Sequence, residues 1–180
     1  KIMESNAKVY ITVIPSEGEE KQLLVEKEVI SRSILIKGML DDAKDFSEPM
    51  RFDNIDSDTL TAIVKFLRYL EETKEEVIIE KPLPSNRMVD VVGKWFADYI
   101  DSFVKDDDHK DDIFKLLQAA NFLDIKPLIE LGCAKVATII NDKDIKWIRQ
   151  YFEIQNDFTP EEERDVDEEN EWIENTSEVR

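Results

Sequence analysis

Helical periodicity dominates the chain from Asp111 onward and limits what the sequence can fold into. Apolar residues recur at helical spacing in the first three of four runs, and the first, second and fourth runs begin at a helix-start signal. The first run follows Asp111 and Asp112, which we predict to cap a helix, and the second begins at Pro127, a proline suited to a first turn. The third run covers 142–152, and the fourth starts at Thr159 with a capping box. The sequence therefore predicts consecutive helices through this part of the chain.

The N-terminal part follows a different pattern. Residues 8–14 alternate between two faces, which predicts a β-strand, and 21–25 reads as a return strand after a turn at 15–18. Three further elements are predicted: a short amphipathic helix over 29–42, an extended piece over 50–55, and a helix capped by Asp56-Ser57-Asp58 that carries Leu60, Ile63, Val64, Leu67 and Leu70 on one stripe.

The region between 71 and 112 is harder to interpret. Residues 71–76 form a solvated charge run, and Pro82 and Pro84 break any regular element. Apolar residues return at helical spacing over 93–104, which predicts a helix, and the acidic run 106–112 predicts a loop.

Charge and composition exclude several classes of protein. The chain has 42 acidic and 24 basic residues, a net charge of −18, which argues against binding a phosphate backbone through basic clusters. Basic or apolar protein surfaces are the expected partners. A hydrophobic content of 42% with nine Phe residues predicts a folded chain, and no apolar run is long enough to predict a membrane span.

Few residues have a pattern typical of catalysis. The four glycines are isolated, which excludes a P-loop and a dinucleotide fingerprint, and one cysteine excludes a disulfide framework and a cysteine-based zinc site. The single histidine, His109, lies in the acidic run and is predicted to be solvated. Cys133 falls on an apolar helix face without a nearby base, so we expect a small core thiol. The sequence predicts no enzyme, cofactor or metal site.

The fourth predicted helix has an unusual composition. Between residues 159 and 180 there are ten acidic and two basic residues, and the apolar residues are Val166, Trp172, Ile173 and Val179. Such a helix cannot bury enough area to be stable alone. Two interpretations stay open here: the helix completes its folding on a partner, or it is a frayed acidic tail with Trp172 packed on its own domain.

Four segments of the chain resemble one protein family. They are 117–128 (LQAANFLDIKPL), 148–163 (IRQYFEIQNDFTPEEE), 169–172 (ENEW) and, more loosely, 32–42 (RSILIKGMLDD). The chain is similar to the S-phase kinase-associated adaptors of Skp–cullin–F-box (SCF) ubiquitin ligases. The resemblance implies an α+β fold, with a BTB/POZ domain over 1–126, in which 71–112 is a variable linker or loop, and a C-terminal extension of F-box-binding helices over 127–180.

The resemblance also implies two groups of binding residues. Asn121 and Phe122 match an Asn-Tyr pair that faces the cullin, although Phe122 lacks the tyrosine hydroxyl. From the residues alone, Val136, Ile140 and Ile148 fit an ordinary core as well. The positions that match F-box contacts are Phe114, Leu117, Ile129, Val136, Ile140, Ile148, Phe152, Ile154, Phe158 and Trp172.

The function implied is that of a non-enzymatic adaptor in protein ubiquitination and the cell cycle. Its expected partners are F-box proteins and a cullin, with a RING protein held indirectly through the cullin, and neither nucleic acid nor membrane. Its expected location is the cytoplasm and nucleus. An alternative is a structural subunit of a kinetochore or another scaffold through an F-box-like partner. A third candidate, an elongin-like BTB adaptor, fits less well because that shorter family lacks the last two helices.

Overall fold

A computed structural model describes residues 9–42, 48–104, 110–166 and 168. Its contacts divide the chain into two compact units, Lys1–Asn141 and Asp142–Arg180. The first unit contains a small sheet and most of the helices, and the second is helical in its described part. By contacts the helix that begins near Pro127 belongs to the first unit. The functional division expected after residue 126 stays a prediction.

Three strands form the sheet, in the order β2-β1-β3. Strand β1 pairs antiparallel with β2 and parallel with β3. The predicted alternation places Ile11 and Val13 in the core and leaves Tyr10 exposed on the other face, so the strand pair is confirmed. The strands are β1 (Tyr10–Ile14), β2 (Leu23–Glu26) and β3 (Met50–Arg51).

The extended piece predicted over 50–55 is shorter in the structure. The backbone amide of Phe52 still donates to the carbonyl of Ile14 at 2.8 Å, but the amide of Ile55 then donates back to the Phe52 carbonyl at 3.3 Å. That local bond turns the chain toward the next helix. The strand therefore ends at Arg51, because the chain must reach the helix cap at Asp56.

Helices make up most of the remaining first unit. The longest carries the predicted buried stripe, which includes Leu60, Ile63 and Leu67, and Asp56 caps it by accepting from the Thr59 amide at 2.7 Å. No helix in the described ranges is long and apolar enough to span a membrane. The helices of this unit are α1 (Lys27–Ile30), α2 (Ile34–Asp42), α3 (Ser57–Thr73), α4 (Met88–Val91), α5 (Lys94–Asp101), α6 (Lys110–Phe122) and α7 (Lys126–Ile140).

The prediction of one helix over 29–42 is wrong, because a buried serine interrupts it. Helices α1 and α2 are separated by three residues that end at Ser33, whose side chain is fully buried. Its hydroxyl donates to the carbonyl of Leu123 at 2.5 Å and accepts from the amide of Ile36 at 3.1 Å. The second bond is that of an N-terminal cap, so Ser33 starts a new helix while it ties α2 to the end of α6.

The region 71–112 contains more regular structure than the sequence indicated. Helix α3 continues to Thr73, and Glu71 forms ion pairs with Lys74 and Arg32, which together hold the pKa of its carboxyl below the usual range. The Glu71 side chain is therefore a partly buried ion-pair member, whereas Glu72, Glu75 and Glu76 are exposed as predicted.

The helix predicted over 93–104 is confirmed as α5. Trp95 stacks on Tyr69 of α3 with ring centroids 3.6 Å apart, and Tyr99 also stacks on Trp95, with centroids 5.2 Å apart. Burial raises the pKa of the Tyr99 phenol, whose hydroxyl donates to the carbonyl of Ala62 at 3.0 Å. These aromatic contacts join α5 to α3.

The predicted cap of α6 is misplaced. Asp111 and Asp112 lie inside the first turn of α6, which already includes Lys110, so they stabilise the helix through its dipole rather than as caps. Much of the predicted acidic loop, with His109, lies outside the described residues.

A carboxylate near the first turn of the chain holds the start of α3. Both oxygens of Glu17 accept from the Ser57 amide, at 2.9 and 3.0 Å, and one also accepts from the Ser57 hydroxyl at 2.7 Å. These bonds, the backbone bond first, lower the pKa of Glu17 from 4.5 to about 2. The side chain thus links the β1–β2 turn to α3.

This contact predicts a specific loss of stability in acid. The unfolded chain protonates Glu17 near pH 4.5 and the folded chain near pH 2, so the contribution of this carboxylate is complete above pH 4.5 and declines as the pH falls from 4.5 to 2. Urea unfolding of wild type and Glu17→Gln should show a difference at pH 7 that shrinks by pH 3. Glu20→Gln, at an exposed neighbouring carboxylate, is the matched control. A difference that is constant from pH 7 to pH 3 would contradict the prediction.

Candidate functional site

The two residues predicted to face a cullin lie at a corner between helices α6 and α7, residues 121–125. Asn121 is exposed, and Phe122 is 45% exposed although it is a large apolar residue. The rings of Phe122 and Phe52 meet in an edge-to-face arrangement, with centroids 6.4 Å apart and planes at 83°. The structure thus places both side chains at the surface, with one side of Phe122 supported by the core.

Backbone bonds hold the corner in one conformation. Asp124 has a left-handed backbone (φ 49°), and the amide of Ile125 donates to the Ala120 carbonyl at 2.9 Å, which closes α6. The neighbouring Leu123 carbonyl accepts the buried hydroxyl of Ser33. Because bonds from two elements meet here, Asn121 and Phe122 are displayed on a rigid surface.

Helices α6 and α7 approach each other closely at a glycine. Phe114 and Leu117 of α6 are half-buried and pack against the core, so neither is a freely exposed contact residue. Gly132 of α7 is buried beneath Leu117, and a Cβ atom built on Gly132 would lie 2.5 Å from Leu117 Cδ2. The absence of a side chain at Gly132 therefore sets the position of Leu117.

Gly132→Ala is expected to destabilise the protein despite the better helix propensity of alanine. Overpacking costs about 1–3 kcal/mol, and alanine in a helix recovers about 1 kcal/mol, so we expect a net loss of up to about 2 kcal/mol in urea unfolding. Gly38→Ala on α2, where nothing lies within 4 Å of the added methyl group, should instead stabilise the fold by roughly 0.5–1 kcal/mol. Equal stabilisation by both substitutions would show that Leu117 moves aside without cost.

One stripe of α7 carries three of the predicted F-box contacts. Ile129, Val136 and Ile140 are half-buried, and Ile129 and Val136 pack partly against the core. Cys133 lies on the same stripe and is exposed, so the expectation of a core thiol is wrong. The core face of α7 is the neighbouring one, with Leu128 and Leu131. The α7 stripe (Ile129, Cys133, Val136, Ile140) therefore borders the core and keeps an accessible edge.

The second unit begins with helix α8 (Ile145–Tyr151), as predicted for 142–152. Asp144 caps it by accepting from the Trp147 amide at 2.6 Å. Ile148 and Phe152, one helical turn apart, are half-buried. Not one side chain described in 142–166 is buried, although the segment contains a capped helix and the start of another. Its apolar side chains are therefore half-buried at most, and several are exposed.

Two predicted contact residues lie in the loop 153–158 that follows α8. Ile154 is 54% and Phe158 is 43% exposed. The guanidinium of Arg149 lies 5.4 Å from the centre of the Phe158 ring and 3.6 Å from a Glu163 oxygen. The Asn156 amide donates to the same carboxylate at 3.2 Å. The contacts of Glu163 with Arg149 and Asn156 thus hold the loop, while its apolar side chains Ile154 and Phe158 are exposed.

The predicted capping box at Thr159 is confirmed. The Thr159 amide donates to Glu162 Oε2 at 2.8 Å, and the Glu162 amide donates to Thr159 Oγ1 at 3.3 Å. These bonds, the backbone bond first, lower the pKa of Glu162. A helical segment over 160–166 follows directly. Trp172, predicted from the same helix, lies outside the described residues.

An aromatic pair on α8 was missed by the resemblance. Trp147 and Tyr151 stack with centroids 4.6 Å apart and planes at 14°, and Lys143 Nζ lies 5.0 Å from the Trp147 ring centre. The signal was in the sequence, since two aromatic residues four apart share a helix face. The pair widens the apolar surface that begins with Ile148 and Phe152.

The described residues offer little for chemistry. Among them no cluster of three or more His, Cys, Asp or Glu side chains could hold a metal ion. The arrangement suits protein binding. The first unit offers the small surface at the α6–α7 corner and the half-buried α7 stripe, and the second unit, described by itself, offers the apolar side chains of α8 and the loop 153–158.

Comparison with known proteins agrees with this arrangement. The model of the Skp1 family dimerisation domain matches residues 126–173, and that of the Skp1 family tetramerisation domain matches 12–72. The chain is 36% identical over 172 residues to the "E3 ubiquitin ligase complex SCF subunit sconC" of Arthroderma benhamiae, covering 96% of this chain and 99% of that protein.

Two relatives from other organisms are similar over nearly the same length. The chain is 39% identical over 158 residues to the "S-phase kinase-associated protein 1 homolog" of Tetrahymena thermophila, covering 87% of this chain and 90% of that protein. It is 35% identical over 157 residues to the "SCF ubiquitin ligase complex protein SKP1a" of Dictyostelium discoideum, covering 87% and 92%. The predicted α+β fold, a POZ domain with a helical C-terminal part, is confirmed by the matches, and the chain belongs to the Skp1 family.

Proposed function

We propose that this chain is the adaptor subunit of an SCF-type ubiquitin ligase and bridges a cullin to F-box proteins. One observation carries the proposal: residues 142–166 form capped helical structure in which no described side chain is buried. The relatives from Arthroderma benhamiae and Dictyostelium discoideum are named as SCF ubiquitin ligase complex proteins, which supports the same role.

Covering the exposed apolar side chains of the second unit with a partner would stabilise it. Helix α8 has seven residues, and isolated helices of fewer than about 12–15 residues are marginal in water. Burying the side chains of Ile148, Phe152, Ile154 and Phe158 on a partner would contribute roughly 25 cal/mol for each Å² of apolar surface removed from water. A lasting contact of this kind typically buries about 2,000 Å² or more.

The acidic sequence of the C-terminal part favours a partner with a basic rim. Ten acidic and two basic residues lie between 159 and 180, close to half of the net charge of −18. Opposite charge speeds association and aligns the partner, while the apolar side chains at the centre supply affinity. The proposed F-box partner therefore presents apolar residues at its centre and basic residues around them.

The proposed cullin surface is separate in the chain and different in character. Asn121 and Phe122 belong to the first unit, at a corner fixed by backbone bonds, and the Phe122 ring already packs against Phe52. A surface that is rigid before binding loses little conformational entropy on association. Helix α8 and the loop 153–158 belong to the second unit, so the F-box contacts proposed there can be altered without changing the cullin surface.

The proposed role is proximity rather than catalysis. The adaptor brings a substrate bound to the F-box protein close to the ubiquitin-transfer machinery that the cullin carries through its RING protein. The residues of this chain would then hold partners and perform no bond-making step. We place this activity in the cytoplasm and nucleus.

Reconstitution with purified partners tests the proposal. The full chain is mixed with an F-box protein and a cullin, and the expected product on size-exclusion chromatography is a ternary complex. The cullin and F-box protein should not co-elute when the chain is omitted. Failure to form either binary complex would contradict the proposal. Co-purification of centromere-bound proteins with the tagged chain, without cullin, would support the scaffold alternative instead.

A further inference from the structure

The segment that joins α3 to α4 carries an exposed apolar residue, Ile78, to which the adaptor role assigns no function. It lies between residues 74 and 87, outside both ranges matched by the family models. Within it, Val77 and Ile79 pack against the core, whereas Ile78 between them is 72% exposed. That is the largest exposed fraction of any large apolar side chain in the described part of the chain.

The side chains of this segment alternate as those of a β-strand do. Glu76, Ile78 and Glu80 are exposed, while Val77 and Ile79 are half-buried. Alternation with a period of two is the pattern of an extended chain. Three consecutive β-branched residues also favour that conformation. The outward face therefore presents one apolar residue between two carboxylates.

The backbone of the same segment has unused hydrogen-bonding capacity. No backbone amide or carbonyl of residues 77–81 bonds to another residue that the structure describes. Paired strands elsewhere in the fold, such as β1 and β2, exchange these bonds along their length. A segment with extended alternation and unpaired backbone groups is a template for an added strand.

Charge decides which strand can be added. In antiparallel self-pairing centred on Ile78, Glu76 of each chain would lie opposite Glu80 of the other, and like charges directly opposite are destabilising. A second copy is therefore disfavoured. A foreign strand with Lys or Arg at those two positions would instead form opposite-charge pairs, each worth roughly 0.2–1 kcal/mol relative to Ala pairs.

We propose that residues 76–80 bind an extended partner segment by strand addition, with a β-branched residue opposite Ile78 and a basic residue opposite each of Glu76 and Glu80. The partner motif is basic, any residue, β-branched, any residue, basic. Backbone bonds supply affinity, and the two charge pairs with the central apolar contact set the register and the specificity. The proposal does not depend on the adaptor role.

A fluorescein-labelled peptide of sequence Thr-Lys-Thr-Val-Thr-Lys-Thr is the probe, with the full chain titrated in an anisotropy assay. We expect saturable binding with Kd on the order of 10–100 µM. Ile78→Lys should weaken binding about tenfold or more, and the separate double variant Glu76→Gln with Glu80→Gln should weaken it about two- to thirtyfold. Val89→Lys, at another exposed apolar residue of the same unit, should leave it unchanged. Circular dichroism of each variant confirms that the fold is retained.

Two altered peptides separate strand addition from simple charge attraction. A peptide with both Lys replaced by Glu and a peptide with N-methylated backbone amides should each bind at least about tenfold more weakly. Equal binding of the N-methylated peptide, or of Ile78→Lys and wild type, overturns the proposal. So does the absence of saturable binding up to about 1 mM. Dimerisation of the chain that Ile78→Lys abolishes would also overturn it, because a second copy would then occupy the segment.

Discussion

Replacing Ile154 and Phe158 together by alanine is expected to weaken F-box binding by about 100-fold or more, because two central apolar contacts of roughly 2 kcal/mol or more each are lost. Both side chains are mostly outside the core of this chain, so the free energy of unfolding should change little. The Phe158 ring contacts Arg149, and losing that cation–π contact costs about 0.5–1 kcal/mol at an exposed site. Calorimetric titration with an F-box protein measures the first effect, and urea unfolding measures the second.

The loop itself offers the matched control. Gln155 is exposed between the two apolar residues, and Gln155→Ala should bind the F-box protein within about twofold of wild type, as rim positions usually do. The double variant should still bind the cullin, whose proposed surface is in the first unit. If the double variant binds the F-box protein with wild-type affinity, the loop 153–158 is not part of the interface. Equal loss of both partners would indicate a damaged fold rather than a lost contact.

Several elements of the fold could be predicted from residues that lie close together in the sequence. The strand alternation at Ile11 and Val13, the α3 cap at Asp56 and the capping box at Thr159 all depend on residues within four positions of one another. Interactions at that range are encoded by spacing and residue type. Those predictions were therefore confirmed with nearly correct bounds.

Other features depend on contacts between distant parts of the chain. Ser33 interrupts a helix because its hydroxyl bonds to Leu123, 90 positions away, and nothing near Ser33 indicates this bond. The link between Glu17 and Ser57 spans 40 positions. Cys133 was misplaced because a mostly apolar helix such as α7 does not show which of two neighbouring faces meets the core.

In the candidate site, too, some features could be predicted from the sequence and others depend on contacts between distant residues. Family resemblance identified positions but not their surroundings: Leu117 proved to be a packed residue over Gly132, whereas Phe122 proved to be exposed. The Trp147–Tyr151 pair could have been found by helical spacing, but no resemblance pointed to it. Exposure, which decides whether an apolar side chain can bind a partner, follows from tertiary packing.

Replacing Asn121 and Phe122 together by lysine is expected to weaken cullin binding by about 100-fold or more, while F-box binding is retained. Both side chains are exposed at a corner held by backbone bonds, so the substitutions change the surface more than the fold. Losing the contact between Phe122 and Phe52 should cost about 0.5–1.5 kcal/mol of stability. Biolayer interferometry with immobilised cullin and, separately, an F-box protein measures both affinities.

A second pair of variants distinguishes a specific contact from a change of charge. Gln118→Lys adds a positive charge on the exposed face of α6, one turn before Asn121, and should alter cullin affinity far less than the double substitution. Phe122→Tyr restores the hydroxyl expected from the family resemblance, and one added hydrogen bond of about 1 kcal/mol would tighten cullin binding roughly fivefold. If the lysine pair and Gln118→Lys weaken binding equally, charge alone explains the effect and the α6–α7 corner is not the contact. If Phe122→Tyr tightens binding, the phenyl ring at this position lies against the cullin, with its para carbon directed at a polar group.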